Sequence, residues 1–174
     1  MEKIKNNIRN NAAIYLLIIA VIIIFLIIKF VGNKQTTEEE LDTSMFNVVT
    51  TENVDKIFNS TKAEILVIGS KECSATKDFE SIMKLSSAKE QYIINYMELL
   101  DEDKDSTSYK TFIEKLDLPY NIDGKEKKLR DYMGATPMII VIKNKKVVYG
   151  MIGSISETAL TQLVYTYGVS NEEN

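Results

Sequence analysis

The sequence has no histidine and only one cysteine, Cys73. Without histidine there can be no Ser-His-Asp triad, no Cys-His pair and no histidine-ligated metal. A lone cysteine excludes cysteine zinc sites, iron–sulfur clusters and any intramolecular disulfide. The glycines are scattered at turns, so no Gly-rich loop is available to cradle phosphate. Positive charge does not dominate beyond the N-terminus. Residues 1–31 sum to +3, from Lys3, Lys5, Arg9 and Lys29 against Glu2, in a chain of net charge −4. The remainder therefore carries −7, which argues against a nucleic-acid partner. The nine tyrosines are spread over many segments and form no stacking platform for bases.

What the chain does have, first, is a long apolar run. Ala12 to Ile28 is seventeen residues broken only by the hydroxyl of Tyr15, and Phe30 and Val31 extend it past Lys29. About 20 helical residues cross a hydrocarbon core of roughly 30 Å. The run is long for a signal peptide, and no small-x-small cleavage site follows it. The pattern predicts an uncleaved anchor over 12–31 behind a basic segment, 1–11. The basic flank before it and Glu38, Glu39, Glu40 and Asp42 after it put the N-terminus in the cytoplasm. The rest of the chain then lies outside the membrane, joined by a polar tether over 32–43. Residues 169–174 carry no structural signal.

The globular part is organised around Glu64 to Met83. Ile65 to Gly69 has the length and β-branching of a buried strand. Ala75, Phe79, Ile82, Met83 and Ser86 then fall on one helical face. Cys73 thus sits where a strand gives way to a helix, and the helix N-terminus favours a thiolate there. Glu72 is expected to oppose that effect.

The remaining segments alternate in the same way. Phe46 to Val49 reads as a strand, followed by a short helix with Thr50 or Thr51 at its N-cap and Val54, Ile57 and Phe58 inward. Tyr92 to Met97 reads as another strand. Asp101, Asp103 and Asp105 have the alternation of a calcium loop. Ser106 and Phe112 stand where such a loop needs glycine and glutamate, so the stretch reads as solvated. A helix carrying Tyr109, Phe112, Ile113 and Leu116 follows and ends before Pro119. Asp123-Gly124 reads as a turn, and Leu129 to Met133 as one more helical turn. Met138 to Lys143 and KVVYGMIG form a hairpin about Asn144-Lys145, and a last helix capped by Ser154 or Ser156 closes the pattern.

This order, with Ala135-Thr136-Pro137 just before the MIIVIK strand, resembles the thioredoxin-like family over about residues 44–168. Membrane-anchored thioredoxin-like proteins of Gram-positive bacteria, including the bacteriocin accessory type, are similar in layout. The resemblance implies an α/β fold: a mixed central sheet with flanking helices, here carrying an inserted helical segment at about 101–128. It implies Cys73 as the nucleophile, and Thr136-Pro137 as a cis-proline dipeptide that holds an extended substrate. Gly153 matches the glycine after the last hairpin strand. Three positions depart from the family pattern. The second cysteine of C-x-x-C is Thr76, the preceding tryptophan is Glu72, and the buried acid falls at Val67. A dithiol–disulfide cycle needs a second thiol.

The expected activity is therefore that of a single thiol. Cys73 would form mixed disulfides with a protein client, Thr76 would donate a hydrogen bond to its sulfur, and no cofactor or metal is called for. The alternative is a redox-inactive thioredoxin-fold module that docks to an envelope, secretion or transfer complex. Either way the expected partners are the membrane and another protein.

Overall fold

The chain divides into two units, Met1–Glu39 and Glu40–Asn174. The computed structural model describes residues 40–100, 104–122 and 124–170, and upstream only Ile19 and Val21–Ile23, which are helical. Among the described residues no helix is long and apolar enough to cross a membrane. Most of the anchor expected over 12–31, its basic flank and the tether as far as Glu39 lie outside the described residues. So do Asp101 and Asp103 of the acidic stretch, and residues 171–174 of the tail.

The second unit is an α/β fold with a mixed five-stranded sheet and helices on both faces. In chain order its elements are β1 (Asn47–Val49), α1 (Asp55–Phe58), β2 (Glu64–Gly69), α2 (Ser74–Glu90), β3 (Ile94–Glu98) and α3 (Thr107–Lys115). There follow β4 (Pro119–Ile122), β5 (Lys125–Lys128), a 3-10 turn (Leu129–Tyr132), β6 (Met138–Lys143), β7 (Lys146–Ile152) and α4 (Glu157–Tyr167). The sheet order is β1-β3-β2-β6-β7. β3 is parallel to both β1 and β2, while β6 runs antiparallel to β2 and to β7.

Residue periodicity explains the layering. The inner strands are apolar on both faces because both faces are covered. Ile65 and Val67 point into one core with Ile94, Tyr96, Ile139 and Val141, roofed by Phe79 and Met83 of α2 and Leu160 and Leu163 of α4. Leu66 and Ile68 point into the other with Met97, Ile140 and Ile142, covered by Ile57, Phe58 and Phe112. The β6–β7 turn has positive φ at Asn144 (53°) and Lys145 (66°), the backbone of a tight hairpin.

Three segments differ from the sequence reading. Within the segment expected to be an inserted helical stretch, about 101–128, α3 is the α-helix, and the part read as a turn about Asp123-Gly124 is a two-stranded hairpin, β4 with β5. Its strands have almost no apolar alternation, and tertiary contacts fix them instead. The Tyr120 ring meets Tyr132 edge-on at 5.5 Å, and its hydroxyl accepts from the Ile152 amide at 3.2 Å. Gly150 lets Leu129 pack against β7, since a Cβ there would come within 2.6 Å of Leu129. At the N-terminal side, Leu41 is buried in the core and Asp42 accepts from Lys84 Nζ at 2.5 Å. The chain is therefore already packed where a polar tether was expected. Val169, past the expected domain end, is buried and bridges Ala63.

Candidate functional site

Strand direction gathers one end of the sheet into a site. β2 and β3 end where β6 begins, so the turn after Gly69, the end of β3 at Glu98 and the segment before Met138 meet. The turn is held by the Cys73 amide donating to the Ser70 carbonyl at 2.9 Å. Cys73 is the N-cap residue of α2, with an extended backbone and no side-chain capping bond. The Thr76 and Lys77 amides donate to its carbonyl, both at 3.1 Å.

The thiol is half-buried, and its Sγ donates to the Thr136 carbonyl at 3.3 Å. The Thr136-Pro137 peptide is cis. The Pro137 carbonyl accepts from the amide of Gly153, whose φ of 94° suits glycine, at 2.8 Å. Cys73, Thr136 and Pro137 are thus brought together. Thr76 lies directly behind them, fully buried, its hydroxyl accepting from the Ser70 amide at 3.4 Å.

The two protonation states of Cys73 use different neighbours. As a thiol it donates to the Thr136 carbonyl. As a thiolate it can only accept, and side-chain hydrogen bonding from Thr136 is the largest cause holding its pKa below the ordinary thiol value. Partial burial opposes this, while the Thr76 amide and hydroxyl and the Ala75 amide reinforce it. Glu72, expected to oppose the helix N-terminus in part, is exposed on the turn, and the net direction for Cys73 is downward, with Thr136 the largest cause.

A cavity of about 400 Å³ opens beside the thiol, lined by Lys71, Glu72, Cys73, Glu98, Lys104 and Thr136 among others. Tyr96 and Glu98 were not singled out from the sequence. Gly69 makes their placement possible. A Cβ there would come within 2.7 Å of both Thr76 Cγ2 and Tyr96 Cε2 and within 2.8 Å of Tyr96 Oη. Tyr96 therefore crosses beneath the Cys turn, and its hydroxyl donates to Glu98 Oε2 at 2.7 Å. The second carboxylate oxygen accepts from the Lys71 amide at 2.8 Å. Burial is the largest cause holding the Tyr96 phenol far above its ordinary range, followed by its hydrogen bond to Glu98 and the charges of Glu98 and Cys73. The sequence signal was present only as an i, i+2 pair in YIINYME, which places both side chains on one strand face.

Val67, where the resemblance implies a buried acid, is a fully buried core residue paired with Tyr96 across the sheet. Among the described residues no cluster of three His, Cys, Asp or Glu side chains could hold a metal. No protein-family model matches the chain, and no curated protein does.

Proposed function

We propose that this chain is a membrane-anchored, extracytoplasmic thioredoxin-like protein that acts through one thiol. The observation carrying this reading is the Cys73 sulfur, half-buried at the start of α2 and hydrogen-bonded to the carbonyl of the cis Thr136-Pro137 peptide. A sulfur in that setting faces a backbone edge against which an extended peptide can lie. Charge polarity supports the anchored topology, through the basic flank before Ala12 and the acidic residues after Val31.

In the proposed step the Cys73 thiolate attacks one sulfur of a client disulfide. The client S–S bond breaks, a Cys73–client disulfide forms, and the other client sulfur leaves as a thiolate. No external oxidant is consumed. Thr76 offers no second thiol, so a client cysteine or a small thiol releases the adduct by the reverse exchange.

Acid-quenched, alkylated cells expressing the full chain should show Cys73 in mixed disulfides on non-reducing gels. These adducts should vanish with reductant and in Cys73→Ser. In the purified chain, maleimide labelling should report a thiol pKa below the free value of about 8.5. An inert Cys73, or no adduct in cells, would sink the reading.

A second reading, a docking module without redox chemistry, is favoured by the buried Val67 and Thr76 where the family carries acid and thiol. It predicts that Cys73→Ser retains every partner captured by the wild-type chain.

A further inference from the structure

The Tyr96–Glu98 pair has no role in the exchange step above, yet Glu98 lines the same cavity as the sulfur. Glu98 is held in place on both sides of its carboxylate. Both its carboxylate oxygens are hydrogen-bonded, one to a buried phenol and one to a backbone amide. That amide belongs to Lys71, two residues before Cys73 in the same turn, and the carboxylate and the sulfur line one cavity. Lys71 and Glu72 lie on the turn itself, and Lys104 lines the cavity from the segment after β3. The segment before β6 contributes Gly134 and Thr136, neither of them charged.

We propose that Glu98, clamped by Tyr96 and the Lys71 amide, is a positioning residue whose fixed negative charge disfavours the Cys73 thiolate and so prolongs the mixed disulfide. A sulfur whose thiolate is less stable is a poorer leaving group. In a site without a resolving thiol, that slows release of a captured partner. The donors of Thr136, Thr76 and Ala75 draw the thiol towards ionisation and partial burial opposes them; the proposed Glu98 charge acts in the same sense as burial. The inference rests on the single-thiol reading for its biological meaning. Its measurement does not, because the ionisation of Cys73 can be read whether or not a client exists.

Cys73 is the only cysteine, so every thiol signal of the full chain reports this site. The pH profile of iodoacetamide alkylation should shift to lower pH in Glu98→Gln by roughly half a unit at low ionic strength. Most of that difference should disappear in about 1 M salt. Tyr96→Phe keeps the ring and removes the clamp, and should shift the profile the same way by less. Dithiothreitol should release a 2-mercaptoethanol adduct severalfold faster from Glu98→Gln than from wild type. Its thiolate attacks the 2-mercaptoethanol sulfur, the mixed disulfide breaks, and Cys73 leaves as thiolate. A purely structural role would lower the unfolding midpoint and leave the profile in place. An unmoved or upward-shifted profile in a folded variant overturns the proposal; if Glu98→Gln fails to fold, Tyr96→Phe decides. Absence of client adducts in cells, with the shift present, would fault the exchange reading and not this one.

Discussion

Cys73 holds a position that a better capping residue could take. Ser106 and Ser156 cap α3 and α4, their hydroxyls accepting from the Tyr109 amide at 3.1 Å and the Ala159 amide at 3.2 Å. The 17-residue α2 has no such bond, although the backbone of Cys73 is already extended as an N-cap requires. Cys73→Ser is therefore expected to stabilise the fold by about 0.5–1 kcal/mol while abolishing capture. That corresponds to a rise of roughly 2–5 °C in thermal midpoint. A midpoint that fell would mean the sulfur contributes packing that a hydroxyl cannot replace. A rise would show a residue kept for its chemistry at a cost in stability.

Among the elements, β1 is a three-residue strand at the edge of the sheet. One buried side chain ties it in. Asn95 on β3 accepts from Asn47 Nδ2 at 2.7 Å and donates to the Ile65 carbonyl and Glu64 Oε2, both at 3.1 Å. That amide stitches three strands together. Asn95→Ala should cost about 1–3 kcal/mol and speed amide exchange in β1 far more than in β6. Uniform acceleration across the sheet would argue that β1 does not open on its own. How legible each element was in the sequence follows from how it is held. Ile65 to Gly69 and Met138 to Lys143 could be read because strands covered on both faces need continuous apolar runs. Asn144-Lys145 and Ser156 could be read because turns and caps are local. The β4–β5 hairpin could not: KEKK (125–128) is four charged residues with no apolar alternation, and the hairpin's anchor is Tyr120 reaching β7. At the site the same division holds. Cys73 and Thr136-Pro137 stand out in the sequence. Glu98 does not, because its relevance depends on the parallel register pairing Gly69 with Glu98 across the whole of α2.

For the whole molecule, buried phenols set the alkaline limit. Burial pushes the Tyr92 phenol up to about 12, and Tyr96 is raised further still. Both acids are weakened by folding, so their contribution is complete below the ordinary tyrosine pKa of about 10. It is lost as pH rises from there through 12, since only the unfolded chain ionises freely. Urea midpoints should hold near pH 8 and fall steeply above pH 10. A late phase in phenolate absorbance should coincide with unfolding. A single titration of all nine tyrosines near pH 10 would contradict this. The order of the strands has a further consequence for the timing of synthesis. β2 lies between β3 and β6, yet β6 and Thr136 leave the ribosome only after the whole of the α3–β5 excursion. Until then the Ile65–Gly69 strand presents a bare apolar edge, and Cys73 has no carbonyl across from it. Completing the sheet and completing the thiol's surroundings are one event, so a nascent chain stopped short of Met138 is adhesive and lacks its site.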